Sequence, residues 1–243
     1  MSLHHRIFEN RAAAGVALAR ELLRRPLRPP VLVLGLPRGG VPVAFEVARM
    51  LHAALDVMLV RKIGMPGQPE LAIGAIASGG VVIHEPRMEK EFPELSQTFS
   101  QLVDEERMEL ERRERVYRAG LPPLELKDKT VILVDDGLAT GSTMLAAIRA
   151  AHRAGAGEII ASAPVASREA ATLIRAEADA AVILETPVPL LAIGQWYRHF
   201  EQLDDAEVCH LLEQSRLTIE APEKQKPGNA GARQHARMSS GSG

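Results

Sequence analysis

Cysteine and aromatic residues are scarce in this chain, and the scarcity of cysteine excludes whole classes of site. Only one of 243 residues is a cysteine, Cys209, so the chain can form neither an internal disulfide nor a thiolate zinc site. Although 46% of the residues are hydrophobic, no uninterrupted apolar run is long enough to span a membrane. The first residues, MSLHHRIFENR, lack the apolar segment of a secretory signal. We therefore expect a cytoplasmic protein without a membrane partner, in which Cys209 packs on a helix and is not a nucleophile.

An excess of basic residues is also lacking. The formal net charge is −2, and the stretch from Glu223 to the end carries +3, which leaves about −5 on the rest. An acidic body disfavours a nucleic-acid partner, since such a partner needs a basic face. The tail, residues 221–243, has almost nothing to bury and is expected to be disordered.

A strand, loop and helix pattern occupies residues 130–145, TVILVDDGLATGSTML. The four apolar residues 131–134 are typical of a strand buried on both faces, as in parallel sheets. Asp135 and Asp136 follow at once, and a loop of small and hydroxyl residues leads into a helical pattern from Met144. This order places ligand-binding groups at the carboxyl end of a sheet, beside the amides of a helix start.

Each part of this pattern has a chemical use. Loop amides and hydroxyls can donate several hydrogen bonds to one phosphate, and the helix dipole adds to the attraction. The candidate phosphate-binding residues are Ala139, Thr140, Gly141, Ser142 and Thr143. Carboxylates do not bind phosphate, so Asp135 and Asp136 are expected to bind ribose hydroxyls or a hydrated magnesium ion. The alternative is an Asp-Asp turn that only caps the helix.

The segment VILVDDGLATGSTM resembles the phosphoribosyl pyrophosphate (PRPP) motif of type I phosphoribosyltransferases. It is not a Walker A loop, because Ser142 stands where the lysine would follow Gly141. The resemblance implies that the 5-phosphate of PRPP binds at the loop and that Asp135 and Asp136 are catalytic residues that hold Mg²⁺, the expected cofactor, through water. Ala139 replaces the aspartate proposed as general base in the hypoxanthine-guanine branch, so a purine substrate is not implied.

A second strand-to-helix loop lies in VLVLGLPRGGVPVAFEVARML, residues 31–51. Arg38 stands between a proline and two glycines, a cation on a backbone that can bend sharply around a polyanion. The loop resembles the pyrophosphate loop of the same family, which implies that Arg38, Gly39 and Gly40 bind pyrophosphate, that Arg38 contributes to catalysis, and that the peptide from Pro37 to Arg38 is cis. The alternative is an ordinary turn with a solvated arginine.

A third strand is predicted over residues 56–60, followed at once by Arg61 and Lys62. Cations at the carboxyl end of a buried strand indicate the ligand edge of the sheet, and the family resemblance implies a pyrophosphate contact for both. Residues 71–77 and 81–84 are predicted to form a hairpin, in a region that carries a mobile loop in type I enzymes. There, Glu70 is either a polar contact or a surface carboxylate, and we interpret His84 as structural.

Aromatic residues concentrate in one late segment. Trp196, Tyr197 and Phe200 lie within five residues of a chain that is only 3% aromatic. Two interpretations stay open: Trp196 and Tyr197 stack on the base of a ligand, which loosely resembles the base-binding segment of purine phosphoribosyltransferases, or the rings pack a hood onto the core.

Strands and helices alternate along the chain, which predicts a doubly wound α/β domain with a mostly parallel sheet of about five strands. We expect one domain over residues 1–220, with a core at about 31–185. Two hood segments are expected to cover this core, at about 63–120 and 186–215. The first of them includes a long charged helix at 91–118.

The resemblance implies transfer of a phosphoribosyl group from PRPP to a nitrogen nucleophile such as a nucleobase, with release of pyrophosphate, by a homodimer. The alternatives are a PRPP-sensing regulator that binds nucleic acid, and an enzyme acting on another phosphorylated sugar.

Overall fold

The computed structural model describes residues 6–84 and 95–220, without the side chains of residues 69–70, 95–97 and 218–220. The described helices are α1 Arg11–Leu22, α2 Gly40–Leu51, α3 Leu95–Tyr117, α4 Ser142–Arg153, α5 Arg168–Glu177 and α6 Asp205–Glu220. The strands are β1 Val31–Gly35, β2 Ala54–Val57, β3 Val60–Met65, β4 Gln68–Ala77, β5 Val81–His84, β6 Thr130–Val134, β7 Glu158–Val165 and β8 Ala180–Glu185. Short 3-10 turns occupy Ser78–Gly80 and Ile193–Trp196.

Five parallel strands form the main sheet in the order β2-β1-β6-β7-β8. All five residues of the central strand β6 are buried, as its apolar run predicts. One core layer joins the sheet to α1, α2 and α6, and the other joins it to α4 and α5. Helices therefore cover both faces, and the predicted doubly wound α/β fold is confirmed.

The third strand is shorter than predicted, because residues 57–60 belong to two sheets. β2 ends at Val57, and Met58 and Leu59 cross, buried, to a separate antiparallel sheet of order β3-β4-β5. At the crossing, the Leu59 amide donates to Ser78 Oγ at 3.0 Å. Arg61 and Lys62 thus lie on β3, and the prediction that they end a parallel strand was wrong.

The hairpin and the long helix are confirmed. β4 and β5 pair antiparallel across the Ser78–Gly80 turn. α3 covers most of the predicted helix, and the predicted residues 91–94 lie outside the described part of the chain. Within residues 6–84 and 95–220, no helix has the length and apolar character needed to cross a membrane.

A nearly buried ion pair joins β2 to the end of α3. Asp56 accepts from Arg118 Nε at 2.9 and 3.2 Å and from Nη2 at 3.1 Å, with the two side chains 13% and 10% exposed. Arg118→Met would leave a buried carboxylate without its partner, so we expect a loss of about 3 kcal/mol in the free energy of unfolding, measured by urea denaturation. As a control, Arg24→Met removes an exposed pair with Glu21 and should cost less than about 0.5 kcal/mol. Equal losses in both variants would contradict this account.

Candidate active site

The two acids lie at the carboxyl end of β6 and are largely removed from water. The Asp136 amide donates to Asp135 Oδ1 at 2.9 Å, and the Asp135 amide donates to Ser162 O at 3.2 Å. Burial, reinforced by the charge of Asp136, raises the pKa of Asp135 well above its ordinary value. Burial also raises the pKa of Asp136, although its ion pair with Arg11 acts in the opposite direction. Two such neighbouring carboxyls are costly to charge unless a cation or a hydroxyl donor is bound beside them.

The raised pKa of Asp135 predicts a pH-dependent cost in stability. Between its ordinary value near 3.8 and the raised value, the folded state keeps a proton that the unfolded chain has lost, so the free energy of unfolding falls as pH rises. Asparagine carries no charge and can still accept the Asp136 amide bond. We expect the melting temperature of Asp135→Asn to match that of the wild type at about pH 4 and to exceed it by a growing margin over the range in which the pH rises above that value. Thermal melts across that range test this, with Asp104→Asn, on the exposed face of α3, as the control; a gap that stays constant would contradict the assignment.

Arg11, near the start of the chain, completes the acid pair. Its Nε donates to Asp136 Oδ2 at 2.8 Å, with the two side chains 12% and 15% exposed. Its Nη1 donates to Glu201 O at 2.9 Å, and its Cζ lies 3.8 Å from the centre of the Phe200 ring. Sequence reasoning did not find Arg11 as a site residue, because its partner is 125 positions away and no local motif surrounds it.

The predicted pyrophosphate loop lies directly against the acids. The peptide from Pro37 to Arg38 is cis, as expected from the resemblance. A Cβ added to Gly39 would overlap Oδ2 of Asp136, so only glycine fits between the loop and the carboxylate. The Arg38 side chain is exposed, and its Nη1 donates to Leu203 O at 2.9 Å. The structure thus brings the Arg38 loop and Asp136 into contact.

The predicted phosphate loop turns sharply into α4. Gly141 has φ 75° and ψ 0°, a left-handed conformation that favours glycine, and the helix begins at the next residue. Thr140 Oγ1 and Ser142 Oγ lie 3.0 Å apart, and Ala139 and Thr140 are exposed. Two adjacent hydroxyls at a helix start can converge on one anion, with Thr143 half-buried behind them.

Arg61 and Lys62 are neighbours on β3, but their side chains contact different parts of the protein. Arg61 Nε donates to Glu106 Oε2 of α3 at 2.6 Å, whereas Lys62 Nζ donates to Ser142 Oγ at 3.3 Å. Successive residues of a strand point to opposite faces, which separates the pair. Of the two, the structure brings only Lys62 to the site, and it does so at the phosphate loop.

The aromatic segment packs on the core beneath the acids. Tyr197 is 5% exposed, its hydroxyl donates to Asp136 O at 2.6 Å, and burial raises its pKa. Its ring lies 4.9 Å from Phe200 and 5.7 Å from Phe8. Trp196 is half-buried in the same cluster. For Tyr197 the structure favours the packing interpretation over base stacking, because its ring is covered on both sides by protein.

The remaining candidates lie away from the acids or outside the described side chains. His84 is exposed, with its ring 4.3 Å from Phe99, in keeping with a structural role. Cys209 Sγ donates to Val116 O at 3.4 Å, and burial raises the pKa of the thiol, which disfavours a nucleophile. The side chain of Glu70 lies outside the described residues.

The donor set suits a loosely held magnesium ion. Asp135 and Asp136 could supply carboxylate oxygens to such an ion, and no group of three or more His, Cys, Asp or Glu side chains that could enclose a metal is found among residues 6–84 and 95–220. Mg²⁺ commonly keeps several waters and binds through one or two carboxylates and substrate phosphates, so the residues present fit that mode.

The sheet order defines a doubly wound α/β protein. Its candidate site lies at the carboxyl edge of the parallel sheet, where the acid pair follows the central strand and the hydroxyl loop precedes α4. A model of the phosphoribosyl transferase domain matches residues 6–186. The chain therefore belongs to the phosphoribosyl transferase domain family.

Individual relatives agree with this family. Two Mycobacterium tuberculosis proteins, from strains CDC 1551 and H37Rv and named provisionally as phosphoribosyl transferases, are 39% identical over 210 residues. The match covers 86% of this chain and 47% of each relative, so the chain spans about half the length of the curated relatives it matches. The crystal structure of TT1426 from Thermus thermophilus is also similar, with 39% identity, a TM-score of 0.78, and coverage of 85% of this chain and 98% of that one.

Proposed function

We propose that this protein transfers the 5-phosphoribosyl group of PRPP to a nitrogen nucleophile, with a nucleobase as the first candidate, and releases pyrophosphate. The observation that carries the proposal is the contact of Gly39 with Asp136, which joins the pyrophosphate loop to the ribose-binding acids. The hydroxyl loop continues from those acids along the same sheet edge. A ligand with pyrophosphate, vicinal hydroxyls and a 5-phosphate matches this row of groups in order.

In the reaction, the bond from the anomeric carbon to pyrophosphate breaks, and its electron pair leaves with the pyrophosphate oxygen. A nitrogen lone pair forms the new bond, and the proton that the nitrogen carried passes to solvent water. Arg38 with the Gly39 amide would hold the leaving group, whereas the Gly40 amide already donates to Leu36 O at 3.0 Å. The loop from Ala139 to Thr143, with Lys62, would hold the 5-phosphate. Asp135 and Asp136 would hold Mg²⁺ through water, and the ion would supply positive charge to offset that of the leaving group.

Other expectations from the sequence stay predictions. These are a homodimer, a cytoplasmic location, a base contact by Trp196, a pyrophosphate contact by Arg61, and the single domain over residues 1–220. The pairing of Arg61 with Glu106 at 2.6 Å makes its pyrophosphate contact depend on release from α3.

The experiment is phosphorus NMR of the purified protein with PRPP and Mg²⁺, with and without a panel of nucleobases and simple amines. Pyrophosphate release that depends on one added nucleophile would support the transferase and name its acceptor class. Binding of PRPP without turnover would favour a PRPP-sensing regulator, for which salt-dependent retention on RNA is the next test. In parallel runs with other sugar phosphates, turnover of one of them but not of PRPP would favour an enzyme that acts on another phosphorylated sugar. Absence of PRPP binding would overturn the assignment of both loops.

A further inference from the structure

One stretch of main chain, residues 200–205, contacts both arginines of the site. Glu201 O accepts from Arg11 Nη1, and Leu203 O accepts from Arg38 Nη1, each at 2.9 Å. The ring of Phe200 also lies under the Arg11 guanidinium. We call residues 200–205 the arginine strap. Arg11 and Arg38 come from separate elements, yet the orientation of both depends on this one segment.

The upstream end of the strap is fixed to the start of the chain. The amides of Arg198 and His199 donate to Phe8 O at 2.9 Å and to Glu9 O at 3.0 Å. Phe200 itself stacks on Tyr197, with an angle of 26° between the rings. This end is therefore fixed by main-chain hydrogen bonds and by aromatic packing.

The downstream end is fixed by the first turn of α6. The Asp204 amide donates to Glu207 Oε2 at 2.9 Å, and the Glu207 amide donates to Asp204 Oδ1 at 2.8 Å, a reciprocal helix cap. The Tyr117 hydroxyl of α3 donates to Asp205 Oδ1 at 2.5 Å. With both ends fixed, the two carbonyls between them have set positions.

A carbonyl partner suits an arginine that is to bind an anion. A carboxylate partner would orient the guanidinium but also neutralise much of its charge, whereas a carbonyl orients it and leaves the charge available. Arg38 has only a distant carboxylate neighbour in the part of the chain that the structure describes: Asp205 Oδ1 lies 4.0 Å from Arg38 Nε and is half exposed. A guanidinium has five N–H donors, so Arg38 can keep its bond to Leu203 O while other donors reach a phosphate.

We propose that the arginine strap is a positioning element for the pyrophosphate end of the site, which orients Arg38 for magnesium pyrophosphate while it holds Arg11 against Asp136. This inference rests on the proposed function. Phe200 and Tyr117 are then positioning residues, because they act on Arg38 through the strap: Phe200 stacks on Tyr197, and the Tyr117 hydroxyl donates to Asp205 Oδ1.

The test is the dissociation constant for magnesium pyrophosphate, measured by calorimetry on the full chain. Phe200→Leu loosens the upstream end of the strap, and Tyr117→Phe loosens the downstream end. Each variant should raise the dissociation constant for magnesium pyrophosphate about fivefold. The control is Phe99→Leu, which removes a ring packed against His84 and should leave the affinity unchanged. Should Phe200→Leu fail to fold, Tyr117→Phe removes only one hydroxyl and still tests the downstream end.

A double-mutant cycle separates positioning from a general structural effect. If the strap acts through Arg38, then Phe200→Leu should add nothing to the loss caused by Arg38→Met, and the double variant should match Arg38→Met alone within about twofold. Independent, multiplying effects, or unchanged affinity in folded Phe200→Leu and Tyr117→Phe, would overturn the role of the strap while leaving the proposed function standing. If the wild type does not bind magnesium pyrophosphate, both the proposed function and this inference are overturned.

Discussion

Asp136→Asn is expected to lower PRPP turnover by about 100-fold or more while the protein stays folded. The carboxylate lies between the pyrophosphate loop and Arg11, where it can accept from ribose hydroxyls or magnesium-bound water. Asparagine keeps the shape but loses the charge, so it would bind the cation poorly and would leave Arg11 without an anionic partner. Pyrophosphate release measured at saturating PRPP gives the change in turnover.

Thermal unfolding of the same Asp136 variant separates chemistry from folding. Asp104→Asn is the control, because Asp104 is an aspartate of α3 with a side chain 73% exposed and an ion pair to Arg107. It should change neither turnover nor melting temperature. Normal turnover in Asp136→Asn would remove the acid pair from the mechanism.

Gly39→Ala should be nearly as damaging to turnover, for a steric reason. The new methyl group would occupy the position of the Asp136 carboxylate, so the loop, the carboxylate or both must move. Displacement of a catalytic group by about 1 Å commonly costs about 100-fold in rate, and we expect a loss of that size in pyrophosphate release.

The matched control is Gly157→Ala, which adds the same methyl group far from the acids. Its Cβ would come within 3.1 Å of the Asp128 main chain, a tight but smaller conflict. That variant should keep wild-type turnover even if it melts somewhat earlier. Equal turnover in Gly39→Ala and Gly157→Ala would show that catalysis does not need the close approach of Gly39 to Asp136.

The parts of the fold that the sequence predicts are those determined by local pattern. The apolar run of β6 ends at two acids, so both the strand and its functional end can be predicted from adjacent residues. The crossing at Met58 and Leu59 could not be predicted, because an unbroken apolar run hides the point where a chain changes sheets. Residue alternation along β3 could have separated Arg61 from Lys62 in advance.

The parts of the site that sequence reasoning missed depend on contacts between distant residues. Arg11 reaches Asp136 across 125 positions, and Tyr197 reaches the Asp136 carbonyl across 61. No local motif surrounds Arg11, and the aromatic segment suggests a base contact for Tyr197, not a hydrogen bond to Asp136 O. Only the packed fold shows that both support the same acid.

The main-chain bonds that join residues 8–9 to the aromatic segment affect the order in which parts of the protein become structured during synthesis. A nascent chain that has emerged as far as Glu185 contains all five parallel strands and can begin to fold, since domains commonly fold as they emerge. It lacks the Tyr197 hydroxyl under Asp136 and both carbonyls that orient the arginines. The site therefore becomes complete only after the sheet has formed, when residues 197–205 pack against Phe8, Glu9 and Arg11.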